Sequence, residues 1–263
     1  MLLAIDVGNT HTTVGLWQGK NLNHCWRFAT NKQHTADELY AKLLLLMRSE
    51  NIETSSIEGA CLASVVPNLT SAWCDISFKI SNEAAVLCSA KTAGSLFKVD
   101  SAYQNPLEIG ADRIADAVAA KALYGAPVVV VDFGTATNIE VVNSRGIFEG
   151  GVIAPGVKTS TQALVKNASK LSAIDYLDPQ TSIGKNTAQA MQIGILYGEV
   201  ERVDGLVSRI FKQLGAKAHV VATGGFSSII APLSSTIECV NNNLTLIGLR
   251  TVYEHYTKQQ LGA

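Results

Sequence analysis

The chain is poor in charge and lacks the features that would tie it to a polyanion or a bilayer. Only 16% of its 263 residues are Asp, Glu, Lys or Arg, and the formal net charge is −1. With no basic run, that balance gives no electrostatic footprint for nucleic acid or an anionic membrane. Apolar runs such as LYAKLLLLM (39–47) and APVVVV (126–131) fall far short of the roughly 20 residues that a membrane helix needs. No basic segment precedes MLLAI and Asp6 interrupts it, so no secretory signal is expected. Cysteine is sparse: Cys25, Cys61, Cys74, Cys88 and Cys239 form no C-x-x-C pair. An odd, scattered set reads as reduced packing thiols in a cytoplasmic protein. Low-complexity segments and flexible linkers are lacking too.

What is present is a large apolar fraction, 47% of the residues, enough for a sizeable core. A chain of this length is as compatible with two lobes as with one domain. LLAID (2–6) and TTVGLW (12–17) read as strands joined by a turn at Gly8 and Asn9, with a third strand over 23–29. Thr35-Ala36-Asp37-Glu38 has the form of a capping box. Leu39, Leu43, Leu46 and Met47 follow at helical spacing, which predicts a helix over 36–49. GACLASVV (59–66) reads as a strand stopped by Pro67, with a helix over 69–80 and a short strand over 84–88. The alanine-rich run after Gly110 predicts a helix ended by Gly125. PVVVVD (127–132), NIEVV (138–142) and GIFEGG (146–151) read as strands, followed by helices over 157–168, 186–214 and 245–258. The strand AHVVATGG (218–225) precedes the last helix. Strands alternating with helices, with hairpins after residues 6 and 132, define an α/β chain with mixed sheets.

One pattern occurs twice. In AIDVGNTHTTVGLWQGK and VVDFGTATNIEVVNSRG an apolar strand ends in Asp-x-Gly, hydroxyl residues follow, and a second strand leads to a polar turn. Asp6 and Asp132 stand nearly half a chain apart, which suggests two similar lobes with a cleft between them. Glycine lets backbone approach a phosphate closely, and successive amides in a turn form an anion-binding concavity. The aspartate supplies a carboxylate for a metal bound to the phosphates. The double glycine Gly224-Gly225 ends a third strand in a similar way. A single D-x-G-N-T is equally an ordinary hairpin turn; the duplication favours phosphate.

These motifs resemble the two phosphate motifs of the actin-like superfamily of acetate and sugar kinases, Hsp70 and actin. Within it, Tyr103-Gln104-Asn105-Pro106, Gly110-Ala111-Asp112-Arg113, GGVIAPG (150–156), GKNTAQAMQIGILYG (184–198), VVATGG (220–225) and LTLIGLRTVYE (244–254) are similar to the type III pantothenate kinases. The resemblance implies two actin-like, ribonuclease H-like lobes, assigned to 1–115 and 116–263, with a nucleotide cleft between them. It implies ATP-dependent phosphorylation of pantothenate, the first step of coenzyme A synthesis, by a cytoplasmic homodimer that needs K⁺ or NH₄⁺ besides Mg²⁺ with ATP. Carried over by motif, Asp6, Val7, Gly8, Asn9, Thr10, His11, Thr12 and Thr13 would hold the ATP phosphates, joined by Thr135. Asp132 would bind the monovalent cation. Tyr103, Gly110, Ala111, Asp112, Arg113 and Thr187 would contact pantothenate. The second motif departs from the family after Thr137, where Asn138 and Glu140 stand, and KLSAIDYL (170–177) replaces the family's Thr-Ala-x-Leu-Pro stretch.

Several residues keep two readings. Asp112, at the start of a helix, is either the base for the substrate hydroxyl or a helix cap. Arg113 is a fork for a carboxylate or one half of a surface ion pair with Glu108 or Asp116. Tyr103 lines a substrate pocket or fills a core. Thr187 binds substrate or caps its helix. Lys158 and Lys185 read as solvated, and His11 as a backbone contributor. Against the pantothenate kinase stand a kinase of another small alcohol and an ATP-binding regulator of the same fold that has lost catalysis.

Overall fold

The computed structural model describes residues 1–168 and 171–262; Lys170 of the KLSAIDYL stretch lies outside them. The contacts divide the chain into two units, Met1–Ala119 with Leu244–Ala263, and Ala120–Asn243.

The first unit contains β1 (Leu2–Val7), β2 (His11–Gln18), β3 (Asn21–Ala29), α1 (Ala36–Ser49), β4 (Gly59–Ser64), α2 (Pro67–Ser81), β5 (Val86–Leu87), α3 (Ala90–Ala93) and the two-residue strand β6 (Lys98–Val99). It also holds most of α4 (Ala111–Tyr124), within which the unit boundary falls, and α9 (Leu244–Leu261). Its sheet runs β3-β2-β1-β4-β5, with β1 antiparallel to β2 and parallel to β4. The capping box of Thr35 and Glu38 starts α1 as its sequence predicts. Leu3, Ile5, Val14, Leu16 and Leu62 pack in one core with Leu43 and Met47 of α1 and Leu69, Trp73 and Ile76 of α2. Strand residues between them are small, and they meet α9: the hydrogen positions of Gly15 face Leu246 and those of Gly59 face Tyr253. A sheet covered on both faces needs apolar residues at successive positions, which is why LLAI does not alternate with polar residues. Thr245 Oγ1 donates to the buried Asp116 of α4 at 2.7 Å. Gly248 packs directly on the backbone of Ala115.

The second unit contains β7 (Val128–Phe133), β8 (Ala136–Val142), β9 (Ile147–Pro155), α5 (Val157–Asn167), α6 (Thr187–Gln192), α7 (Gly198–Leu214), β10 (His219–Thr223), α8 (Ser227–Ile230) and β11 (Cys239–Val240). Its strands run β11-β10-β7-β8-β9. β7 is antiparallel to β8 and parallel to β10. Read outward from the hairpin, this order repeats that of the first unit strand for strand. Val129, Val131, Phe133, Ile139, Val220 and Ala222 form a core with Leu196, Val200, Val203 and Val207.

The α/β class and the duplicated hairpins agree with the sequence reading. Two features differ from it. The C-terminal helix, expected in a lobe spanning 116–263, clusters with the first unit, because Leu246, Leu249 and Val252 are buried there beside α4 and the small face of the sheet. The helix expected over 186–214 is interrupted by a π-helical segment at Ile193–Tyr197. Gly194 lies in that segment and Gly198 follows it, so helix propensity is weakest there. Tyr197, on the widened turn, reaches Asp178 at 2.7 Å. Among the described residues no helix is long and apolar enough to cross a membrane.

A Cβ at Gly248 would collide with the Ala115 carbonyl, whereas Gly205, exposed on α7, faces open space. Gly248→Ala should therefore lower stability by ~1–3 kcal/mol, while Gly205→Ala should raise it by up to ~1 kcal/mol. Urea unfolding of both variants checks this; equal midpoints would contradict the close approach of α9 to α4.

Candidate active site

β1 delivers Asp6 and Val7 to the end of the first sheet, where Gly8, Asn9 and Thr10 turn the chain into β2. The Gly8 amide donates to the His11 carbonyl at 3.0 Å, and a Cβ at Gly8 would sit only 3.0 Å from that oxygen. Thr30, just past β3, holds the turn from outside. Its hydroxyl donates to the Gly8 carbonyl at 2.8 Å and lies 3.0 Å from Thr12 Oγ1, and its amide donates to the Thr10 carbonyl at 2.9 Å. Of the eight residues expected to hold phosphates, Asn9, Thr10 and His11 are exposed, and Asp6, Gly8 and Thr13 are half-buried. Val7 and Thr12 are buried, so only their backbone can face a ligand.

The second turn is built the same way. Asp132 lies near the end of β7, and the Gly134 amide donates to the Ala136 carbonyl at 2.9 Å. The Thr135 carbonyl accepts from the Thr159 hydroxyl at 2.6 Å and from the Gly156 amide at 3.1 Å. Gly156 has no room for a side chain, since its Cβ would stand 2.5 Å from the Gly134 carbonyl. Thr135 itself is exposed. Thr137 is buried directly opposite Phe133, as Thr12 is opposite Val7. It donates to Glu199 Oε1 at 2.6 Å. Glu199 is itself buried and paired with Arg202, which donates to the Pro155 carbonyl at 2.7 Å. Asn138, the first departure from the family motif, pairs across the hairpin with Asp132, and Glu140 is buried in β8. Gly224, at φ +87°, presses its backbone against the Asp132 carboxylate. Gly134 lies on the other carboxylate oxygen, its Cβ position 3.4 Å from Oδ2. Side chains at either glycine would crowd this carboxylate, and its hard oxygens are the donor type that K⁺ or Mg²⁺ accepts.

In the first unit, Gly110 and Ala111 open α4, and Asp112 occupies its first turn. The Gly110 carbonyl accepts the Ile114 amide at 3.1 Å. Asp112 Oδ1 accepts the Arg113 amide at 2.8 Å, so from inside the first turn of α4, not from the cap position before it, the carboxylate satisfies one of the helix's free amides. Any Cβ at Gly110 would lie 2.5 Å from that same oxygen, so glycine leaves the carboxylate its place. Burial pushes the Cys88 thiol well above its ordinary value, and the charges of Cys61, Asp112, Asp116 and Asp6 add to the effect. The same thiol donates to the Ala111 carbonyl at 3.5 Å, and the Cys88 amide donates at 2.8 Å to the carbonyl of Leu62, the partner of Ile5 in β1, so this buried residue touches both the start of α4 and the strand beside β1. Tyr103 and Arg113 are half-buried, Tyr103 on a loop where its amide donates to the Asp100 carbonyl at 3.0 Å. Thr187 is exposed at the start of α6, but the cap is Asn186, whose side chain accepts the Gln189 amide at 2.9 Å. That removes the capping reading of Thr187. Lys158 and Lys185 are exposed.

Sequence reasoning missed Thr30, Thr159 and the Glu199–Arg202 pair. None of them stands in a D-x-G motif, and their partners lie 22, 24 and 62 residues away for Thr30, Thr159 and Glu199.

Two sheets of like strand order, each with an Asp-x-Gly turn at the end of its central strand, define the duplicated ATPase fold of actin-like proteins and sugar kinases. Solved structures agree. A conserved putative Baf family transcriptional activator from Campylobacter jejuni matches with TM-score 0.58 and 17% identity, over 98% of this chain and 99% of its own. The activator of 2-hydroxyisocaproyl-CoA dehydratase from Clostridium difficile, solved with bound ADPNP, matches with TM-score 0.55 and 10% identity, over 99% and 97%. At such identities the likeness concerns the fold alone.

Sequence is more specific. The family model described as type III pantothenate kinase matches residues 2–209. The type III pantothenate kinase of Moorella thermoacetica is 42% identical over 98% of this chain and 100% of its own length. That of Geobacillus sp. strain WCH70 is 41% identical over 97% of each. The chain belongs to the type III pantothenate kinase family.

Thr30→Val should remove the hydroxyl that holds the Gly8 carbonyl at a cost of ~1 kcal/mol. ATP affinity measured by calorimetry should fall about five- to tenfold; unchanged affinity would separate Thr30 from the turn's function.

Proposed function

We propose that the duplicated aspartate turns and the first turn of α4 carry the reaction of this family. That reaction is ATP-dependent phosphorylation of the pantothenate hydroxyl to 4′-phosphopantothenate, the first step of coenzyme A biosynthesis. The enzyme is a kinase with an alcohol acceptor. The observation that supports the assignment of residues is the position of Cys88: its thiol donates to the Ala111 carbonyl beside Asp112 at 3.5 Å, and its amide donates at 2.8 Å to Leu62, which pairs with Ile5 beside Asp6.

Phosphoryl transfer asks a protein for in-line positioning, charge neutralisation and an acceptor for one proton. The turn from Asp6 to Thr13 would hold the ATP phosphates with its backbone amides and with the exposed side chains of Asn9, Thr10 and His11. Thr135 would also contact ATP. Tyr103, Gly110, Ala111, Arg113 and Thr187 would bind pantothenate, with the Arg113 guanidinium forking onto its carboxylate. Asp112 accepts the hydroxyl proton through the oxygen not engaged by the Arg113 amide, as the substrate oxygen attacks the γ-phosphorus and ADP leaves. The helix amino terminus favours the ionised carboxylate that this role needs. Mg²⁺ travelling with ATP would neutralise charge on the transferred phosphoryl group, and Asp132 would hold K⁺ or NH₄⁺ beside the second turn.

A homodimer is part of this reading. The family likeness supports it, and Ile153, Leu177 and Ile183 of the second unit, 67%, 65% and 69% exposed, are apolar side chains that a partner protomer could cover. A cytoplasmic location is the other part, in keeping with cysteines that are all free. The regulator reading gains no support, because Asp6, Asp112 and Asp132 are all retained.

Asp112→Asn should lower kcat by ~10²–10⁴-fold and leave the KM for ATP within about twofold, as a base absent from ATP binding requires. Coupled ADP release with pantothenate as acceptor reads both constants, and a wild-type kcat would remove Asp112 from the role. In the same assay, activity should rise steeply with K⁺ and be poor in Na⁺ alone. Equal rates in the two salts would dismiss the cation role of Asp132.

A further inference from the structure

A second cluster of reactive side chains lies at the edge of the second unit's sheet, on residues that the kinase reading does not use. His219 begins β10, and Asp132 pairs with Thr223 at that strand's other end. His219 Nδ1 lies 2.8 Å from Glu238 Oε2, and His219 Nε2 lies 3.4 Å from Cys239 Sγ. The ring of Tyr124, from α4, stacks on the imidazole with centroids 4.7 Å apart and planes 21° apart. Its hydroxyl accepts from Asn241 Nδ2 at 3.2 Å. Burial raises that hydroxyl above its ordinary value, and Cys239 contributes to the shift, so Tyr124 faces the cluster in its neutral form.

The order of atoms matters. A carboxylate on Nδ1 takes the ring N–H and fixes the tautomer. The Nε2 lone pair then points at the thiol, the pairing that activates a cysteine as a nucleophile. The other cysteines lack such a base at hydrogen-bonding distance among the described contacts. Burial pushes the Cys61 thiol up to about 12 and raises Cys88 and Cys74 as well. Cys25, on β3, has an exposed residue surface although burial raises its thiol too, with Arg27 opposing the shift, and it serves as the internal reference.

We infer that Cys239 is a thiol-modification site, activated by His219 and Glu238, that takes low-molecular-weight disulfides. In the step, the Sγ proton passes to His219 Nε2 and Sγ attacks one sulfur of the disulfide. A protein–ligand S–S bond forms as the disulfide's own S–S bond breaks, and the released thiolate takes the proton from His219. The disulfide is the oxidant: one half leaves as a thiol and the other stays on Cys239 in the mixed disulfide. The inference is independent of the kinase assignment.

The test is brief exposure of the full-length protein to oxidised glutathione at neutral pH, with peptide mass spectrometry of each cysteine. Cys239 should form its mixed disulfide at least about tenfold faster than Cys25. His219→Asn should slow Cys239 by about tenfold and Glu238→Gln by about threefold, with Cys25 unchanged in both. Should His219→Asn disturb the fold, seen as an altered Cys25 rate or circular dichroism, the exposed Glu238→Gln decides alone. Modification of Cys25 as fast as Cys239, or Cys239 rates untouched by the deciding substitution, would overturn the proposal.

Discussion

Each Asp-x-Gly turn leaves a carbonyl, that of Gly8 or of Thr135, whose hydrogen-bond donor comes from outside the hairpin, and much of the structure depends on supplying it. Buried or half-buried carbonyls need donors, and here they come from neighbouring elements. Thr30 supplies a hydroxyl to Gly8, and Thr159 supplies one to Thr135. The two donors reach the turn from different directions in sequence, one after the third strand and one from a helix. The solution is the same in both units, although the elements that provide it are not.

Around this shared device the units diverge in how they anchor the strand that follows the turn. In the first, the buried Thr12 lies against Thr30, a neutral hydroxyl pair. In the second, the buried Thr137 meets a carboxylate, Glu199, which is itself satisfied by Arg202. A buried carboxylate is costly unless paired and hydrogen-bonded, and here it is both. The pair ties β8, β9 and α7 together through one charge and the Pro155 carbonyl. The widened turn at Ile193–Tyr197 lies immediately before Glu199 in the same helical run.

Much of this was legible in the sequence, and the parts that were not share a cause. The capping box at Thr35 and the leucine spacing fixed α1 residue for residue. The repeated Asp-x-Gly predicted two hairpins, because a turn's chemistry is written within five residues. The Asp112 neighbourhood was legible in outline, since its glycine and helix start adjoin it in sequence. Thr30, Thr159 and Glu199 were not legible, because a threonine or glutamate carries no mark of a partner 22, 24 or 62 residues off. The membership of α9 was hidden for a related reason. Its apolar residues announce burial but not against which sheet, and the complementary signal is only the small size of Gly15, Gly59 and Ala115.

That last feature bears on how the molecule comes to be made. The second unit is a continuous insertion between Ala119 and Leu244, whereas the first is assembled from segments on either side of it. During synthesis the strands β1 to β5 leave the ribosome well before α9 does. Until α9 arrives, the small-residue face of their sheet has no cover, and Asp116 lacks the Thr245 hydroxyl. The second unit can complete its own core in that interval. The part of the chain made first is therefore the part finished last, and a nascent chain halted near residue 243 would display a completed second unit beside an apolar face still waiting for its helix.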